Sequence, residues 1–354
     1  MLCRIALTPK SPVRANQQIM PSTEHLDQSA PSMPLNRTRI PNLDLAPLFS
    51  DETAARDELE RQIREACLEC GFFYVHNSCV ERRVINNALA ATQAFFQTPD
   101  NGPVKQAVHN RHSGEMKGWG PIFGEPAYQP GTVAHVESFD LGQQLGKKRF
   151  QELGIEPNVW PDIPGFRDAV LEYYEAVTEM GRALGEVFSS MLGMDRGFIN
   201  RHSNERAPRT MRLLHYPVNE APANDRNVGI SAHTDFECFT IINQTAGGLE
   251  LTNVNGEWCQ APSDIGTFTV MPGDMLQRFS NGHLKAAGHR VVHTPWQRFS
   301  LVLFFAVDGD YEVAPLPQFT GPDRPARYRP VTQDDHIRNE LERAAANKQQ
   351  PQGA

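Results

Sequence analysis

His233, Asp235 and His289 are the residues of this 354-residue chain whose types and spacing most readily do chemistry together. Side chains at i and i+2 of a strand leave the same face, so His233 and Asp235 can aim at one point while Thr234 turns away. The flanks read as strand, with Val228-Gly229-Ile230-Ser231-Ala232 before the pair and Phe239-Thr240-Ile241-Ile242 after it. His289 arrives from a separate segment, Gly288-His289-Arg290-Val291. Two imidazoles and one carboxylate form half of an octahedral shell. This facial set suits non-haem Fe(II) and leaves positions open for substrate and oxygen. A zinc site with two histidines and a carboxylate is the chemical competitor.

A second constellation follows at Arg298-Phe299-Ser300. A guanidinium presents a planar fork that grips a carboxylate through two hydrogen bonds, which an ammonium does not. Alternation puts Arg298, Ser300, Val302 and Phe304 on one strand face, and Arg212, Leu214 and Tyr216 on one face of an earlier strand. Arg212 is thus expected as a second inward arginine. It either faces an acidic or carbonyl-bearing substrate or is held in a salt bridge by an acid such as Glu237. Glu237 shares the face of Asp235 by the same rule, within reach of a metal or a substrate. Trp119, Phe123, Phe139, Phe236, Phe268 and Phe304 are candidates for an aromatic substrate wall, though core packing is the safer reading of each taken singly.

The remaining histidines have plainer readings. His215 points away from Tyr216 by alternation, and His283 sits in the Asn281-Gly282 turn. His293 would share the face of His289 on an unbroken strand, which makes it a reserve ligand. Gly247-Gly248, Pro272-Gly273 and Asn281-Gly282 are turn chemistry, with no helix behind them to cradle a phosphate. Cys67 and Cys70 form a C-x-x-C without a second pair, as expected of helix packing.

Composition narrows the class. Thirty-four basic residues against 42 acidic ones give a net charge of −8, which disfavours nucleic acid or an anionic membrane as partner. No apolar run approaches the length of about 20 residues that a membrane helix needs. Six scattered cysteines read as reduced thiols of a cytoplasmic protein. A monomer is expected, since no extra apolar helix face stands out.

The elements that must position these residues follow in order. Residues 1–38, with five prolines and no apolar period, read as a disordered leader. Ile40 to Leu45 reads as a strand. A helix capped by Asp51 or Thr53 then runs to about Glu69, Phe72 to Val75 is a buried strand, and a second helix spans about Val80 to Phe96. His109 to Pro130 is a long loop, and Ala134 to Leu141 alternates as a strand. The strongest helical period runs from Phe166 to Leu192 and predicts a long spine helix. From Thr210 the texture turns to short β-type runs: MRLLHY, GISAHTD, CFTIIN, GLELTN, EWCQA, TFTVMPG, MLQRFS, HRVVHT and RFSLVLFFA. Strands of this number and length predict a double-stranded β-helix, or jelly-roll, barrel with flanking helices, an α+β fold. Asp335 to Ala346 is expected as an exposed terminal helix.

The ordered series LLHYP, SAHTD, GGLEL, GEW, PGD, FSNG, GHRVV and RFSL, preceded by IPNLDL and GFFYV, resembles the isopenicillin N synthase-like family of Fe(II)/2-oxoglutarate dioxygenases. The likeness runs from Ile40 to about Pro317. It implies an N-terminal region over 39–205, a catalytic core over 206–317 and a C-terminal tail over 318–354. It also implies that His233, Asp235 and His289 bind Fe(II), and that Arg298, Ser300 and Tyr216 hold 2-oxoglutarate. Arg212, Leu214, Phe236, Glu237, Phe304 and Trp119 would then border the substrate. The implied chemistry is oxidation of a small or medium-sized metabolite, as in secondary metabolism, with O2 and with ascorbate as reductant. Hydroxylation, desaturation and ring closure all fit, each coupled to decarboxylation of 2-oxoglutarate to succinate. An oxidase of the same family without 2-oxoglutarate, and a metal-binding barrel without redox chemistry, are the alternatives.

Overall fold

The computed structural model describes residues 40–220, 224 and 226–349, and the leader expected over 1–38 lies outside them. The fold is mixed α and β, with two large sheets. The major sheet has eight strands, in the order Asn42–Asp44, Phe73–His76, Phe268–Pro272, Phe239–Gln244, Arg298–Phe305, Met211–Tyr216, Glu137–Leu141 and Gly118–Gly120. The minor sheet has four, in the order Trp258–Gln260, Leu249–Thr252, His289–Val291 and Ile230–His233. Within these two sheets every pairing is antiparallel except that of the first two strands of the major sheet.

The central strand Arg298–Phe305 shows how the chain divides structure from chemistry. Phe299, Leu301, Leu303 and Phe305 belong to the larger apolar core. Val302, with Leu214 and Ile242 from neighbouring strands, faces a second core shared with Ile230, Leu251 and Val291 of the minor sheet. Period-two alternation therefore delivers one face to packing and the other to the space between the sheets.

The larger core is closed by helices. The Phe166–Met191 helix buries Val170, Tyr173, Val177, Met180, Leu184 and Val187. Each such side chain contributes about 1.5–3 kcal/mol on full burial. Phe305 stacks on Phe239 with ring centroids 4.8 Å apart, and Phe188 of the helix meets Phe239 at the same separation. The Thr53–Glu69 helix lacks the expected side-chain cap from Asp51 or Thr53, since its first turn follows Glu52 without one. Cys67 of that helix is buried and unbridged.

Three elements differ from the sequence reading. Gly118-Trp119-Gly120, inside the expected loop, is the edge strand of the major sheet and pairs with Ser138 to Asp140. The MLQRF run is a helix, Asp274–Phe279. Its first amides have partners outside it: Asp274 N–H donates to the Asp235 carbonyl at 2.8 Å and Met275 N–H to the Glu237 carbonyl at 3.0 Å. These bonds satisfy donors that a helix start leaves open, and a tertiary bond of that kind has no local sequence signature. Gly273 before it packs so close that a Cβ would lie 2.4 Å from the Glu237 carbonyl oxygen. The terminal helix runs from Gln333 to Gln349 and is docked, with Gln333 and His336 buried. Lys348 Nζ donates to the carbonyls of Phe123, Gly124 and Glu125 at 2.6–3.0 Å.

Gly181 in the long helix gives a test of sign. Helix propensity alone predicts that Gly181→Ala stabilises by about 1 kcal/mol. Here the new Cβ would lie 2.5 Å from Phe305 Cδ2, and overpacking of this kind costs about 1–3 kcal/mol. Urea denaturation should show net destabilisation by the substitution.

Candidate functional site

His233 ends its strand and His289 begins its own, and the two stand directly opposite each other in the register of the minor sheet. The register shifts between this pair and Val291–Ile230, a bulge that inserts one extra residue on the Ile230–His233 side. Their rings meet with centroids 4.1 Å apart. Asp235 is not on the strand with His233, as alternation suggested, but in the loop that leaves it. Its Oδ1 nevertheless lies 3.7 Å from His233 Nε2 and 3.5 Å from His289 Nε2. One donor atom from each of the three lies within 4.8 Å of the others, and all three residues are buried.

Partners behind the triad fix its orientation. Nδ1 of His233 is 2.8 Å from the Ser231 carbonyl and Nδ1 of His289 is 3.2 Å from that of Ala287. A carbonyl accepts, so each Nδ1 carries the proton and each Nε2 presents its lone pair to the common point. The Thr240 hydroxyl donates to Asp235 Oδ2, leaving Oδ1 to face the imidazoles. Tyr128 stacks on the His233 ring, 4.2 Å between centroids and 11° from parallel. Burial, then the neighbouring His289, drives the His233 pKa well below its ordinary value. Burial likewise raises that of Asp235, against the opposing pull of His289 and Thr240. A carboxylate and two imidazoles so desolvated suit a bound cation, which compensates the charge that burial penalises.

Across the cavity from the minor sheet stands Arg298, 1 % exposed. Its Nη2 donates to Gln244 Oε1 at 2.6 Å and to Ser300 Oγ at 2.8 Å, and its guanidinium lies 4.2 Å over the Tyr216 ring. Nε and Nη1 are buried and, among the described residues, have no hydrogen-bond partner. Native proteins rarely leave charged donors so, because each unmade bond costs about 1–3 kcal/mol or more. A buried guanidinium with donors left open is a ready partner for a carboxylate. The cavity between Arg298 and the triad measures about 550 Å³.

Of the expected pocket residues, Leu214, Phe236, Glu237 and Phe304 line this cavity, and Arg212 lies at its wall. Arg212 is not paired with Glu237. Its fork meets both oxygens of Glu125, at 2.8 and 2.7 Å, and its Nε meets Asp140 Oδ1 at 2.9 Å. Trp119 is not in the cavity. It belongs to the larger core, where its Nε1 donates to Glu137 Oε2 at 2.7 Å. Phe139 and Phe268 are in that core too, and Phe123 is exposed. His215 bonds Glu137 at 2.7 Å on the far face of the sheet. His293 lies beyond the end of its strand, outside the cluster of metal-capable groups.

Sequence reasoning missed Glu125, Tyr128 and Asp140, which a loop and an adjoining strand bring to the wall, and Ile337, Arg338 and Leu341 of the terminal helix. Only Glu125 carried a usable signal, as an acid inside a long loop rich in glycine and proline.

Known proteins resemble this chain in sequence and fold. Residues 40–163 match the family described as non-haem dioxygenase in morphine synthesis N-terminal, and residues 208–307 match the 2OG-Fe(II) oxygenase superfamily. A 2-oxoglutarate-dependent dioxygenase of Aspergillus niger is 30% identical over 88% of this chain and 95% of its own length. The chain belongs to the 2OG-Fe(II) oxygenase superfamily. A 2-oxoglutarate-Fe(II) type oxidoreductase of Emericella nidulans is 29% identical, covering 85% of this chain and 89% of its own. A solved 2OG-Fe(II) oxygenase family protein from Caulobacter crescentus superposes with a TM-score of 0.73 at 26% identity, covering 86% of this chain and 98% of its own. The oxygenase is accordingly a non-haem Fe(II)- and 2-oxoglutarate-dependent oxidoreductase acting on a small organic molecule. Among the described residues no helix is long and apolar enough to cross a membrane.

The depressed His233 pKa sets a pH dependence in metal-free protein. The folded value lies below the ordinary 6.5, so the unfolded chain takes up a proton that the folded chain refuses. His233's contribution to stability is therefore fully present above about pH 6.5 and falls as pH drops below it, by about 1.4 kcal/mol per unit for one proton. His233→Gln should remove one proton's share of that slope. Urea unfolding with chelator present, across about pH 5 to 8, measures it, and an unchanged slope would contradict the assignment.

Proposed function

We propose that His233, Asp235 and His289 hold the ferrous ion through Nε2, Oδ1 and Nε2, and that Arg298 with Ser300 and Tyr216 anchors 2-oxoglutarate. The observation that carries this reading is the pair of unpartnered donors on buried Arg298, in the same cavity as the triad. The donor set supports iron, since two imidazoles and one carboxylate leave three octahedral positions for a chelating cosubstrate and oxygen. Bound iron and 2-oxoglutarate supply the oxidising chemistry, in which O2 is reduced as 2-oxoglutarate becomes succinate and carbon dioxide.

The chain's own work is placement. Arg298 takes the distal carboxylate on its open donors while Gln244 and Ser300 hold Nη2. Tyr216 fills the space under the guanidinium. Tyr128, Phe236, Val302 and Phe304 keep the cavity wall apolar, so that a substrate C–H bond is oriented close to the metal and water is kept away. The terminal helix closes one side through Ile337 and Leu341. The strands that 206–317 contributes to the two facing sheets read as a jelly-roll core, carried by an N-terminal region over 39–205 and covered by the tail over 318–354. Hydroxylation is the default outcome, and the protein acts as a cytoplasmic monomer.

The alternatives without 2-oxoglutarate part from this reading at Arg298. Two charge-assisted bonds to a buried carboxylate are worth roughly 1.5–3 kcal/mol each. Arg298→Ala should therefore raise the 2-oxoglutarate concentration for half-maximal succinate formation by roughly a hundredfold or more. Arg298→Lys should restore only part of this, because an ammonium keeps the charge and loses the fork. Unchanged oxygen consumption in Arg298→Ala would instead favour an oxidase that needs no cosubstrate.

A further inference from the structure

The charged groups that line the cavity can be sorted by whether the protein answers them. Arg212 is taken up by Glu125 and Asp140. Lys117 meets Glu115 at 2.9 Å, Arg338 meets Asp335 at 2.7 Å and Arg206 faces Asp310 at 3.9 Å. Arg209 is held by the Ser203 carbonyl at 3.0 Å. Among the acids, Glu205 pairs with Arg149 at 2.6 Å. Asp235 belongs to the triad, and Asp334 lies exposed at the rim.

Glu237 is the exception. It lines the cavity, is 7 % exposed, and among the described residues its carboxyl has no salt bridge and meets just the backbone amides of Phe236 and of Glu237 itself. Its backbone is held on both sides. The Phe236 carbonyl accepts from Gln333 Nε2 at 2.9 Å, and the Glu237 carbonyl accepts from Met275 N–H. The side chain is therefore presented by a fixed loop, two residues beyond the metal ligand Asp235. Iron and 2-oxoglutarate do not answer it. The ion's two charges and that of Arg298 are balanced by Asp235 and the two carboxylates of the cosubstrate. A buried carboxylate left over in such a site lacks a cation.

We propose that the organic substrate carries a basic nitrogen, an ammonium or amidinium-type cation, and that Glu237 seats this group beside the metal while the carbon to be oxidised lies against Tyr128, Phe236 and Phe304. The proposal rests on the reading of the triad and Arg298 given above. It reverses the expectation from Arg212 alone. That guanidinium already holds two acids and offers a substrate anion no free fork, so the unmet charge in the cavity is negative. Glu237 acts here as a specificity-determining residue, and no step of the oxidation passes through it.

The test is an anaerobic titration of the wild-type chain loaded with Fe(II) and 2-oxoglutarate, reading the visible band of the iron chelate as ligands enter. Two matched sets serve as probes: 2-phenylethylamine with 2-phenylethanol and 3-phenylpropionate, and hexylamine with hexanol and hexanoate. A charge-assisted hydrogen bond predicts that the better amine perturbs the band at concentrations roughly tenfold or more below its alcohol. In Glu237→Gln that preference should disappear while the chelate band itself still forms. An alcohol or carboxylate that matches the amine, amines that leave the band unmoved at millimolar concentration, or a preference retained in Glu237→Gln would each overturn the proposal. If Glu237→Gln forms no band, Glu237→Asp keeps the charge at shorter reach and should retain a weakened preference for the amine, and loss of all preference there counts against it. Absence of the chelate band in wild type is a different failure, that of the cofactor reading itself.

Discussion

Asp235 is a buried carboxylate whose Oδ1 lies 3.7 and 3.5 Å from two imidazole nitrogens that each have their other nitrogen committed to a carbonyl. A buried carboxylate between two imidazole nitrogens is a poor arrangement without a cation and a good one with it. Much of the fold serves to keep that arrangement in place. Cross-strand register puts His233 opposite His289, and the bulge beside them adjusts the strand where it ends. The start of the Asp274–Phe279 helix then takes the Asp235 and Glu237 carbonyls on its first amides, fixing the loop that the strand has released. Three side chains, from the end of one strand, the loop after it and the start of another, are thereby brought to one point.

The major sheet couples this site to the stability of the molecule. Residues of one strand, 298 to 305, alternate between a packed core under the long helix and the cavity that holds Arg298 and Ser300. Arg298 is accordingly immobile before any ligand arrives, with Gln244, Ser300 and Tyr216 around it. Pre-placement of this sort reduces what binding must spend on ordering. The terminal helix adds a third wall. Lys348 ties it to the segment carrying Glu125, and Glu125 in turn holds Arg212. Closure of the cavity therefore depends on contacts between parts of the chain more than 200 residues apart.

The sequence made legible whatever depends on short-range period and on residue chemistry. Alternation gave the faces of Arg298–Phe305 and Met211–Tyr216, and the three- and four-residue steps gave the Phe166–Met191 helix. It also led to the three residues that cluster, but by a route that was only partly right, since Asp235 reaches the site from a loop after the strand has ended. The rest was hidden because it depends on tertiary partners. MLQRF reads as β-type until its first amides find the carbonyls of a distant loop. Trp119 reads as a pocket aromatic until its indole N–H finds Glu137 in the opposite core. Arg212 reads as an inward cation, free or paired with an acid such as Glu237, until Glu125 and Asp140, far from it in sequence, close on it.

The most direct measurement of the central claim is anomalous scattering at the iron edge from anaerobic crystals of the Fe(II)-loaded chain with 2-oxoglutarate. One strong peak is predicted within bonding distance of His233 Nε2, Asp235 Oδ1 and His289 Nε2, with 2-oxoglutarate running from it to the guanidinium of Arg298. A peak held by another set of side chains, such as His293 or Glu237 in place of a member of the triad, or a cosubstrate that leaves Arg298 unpaired, would contradict it.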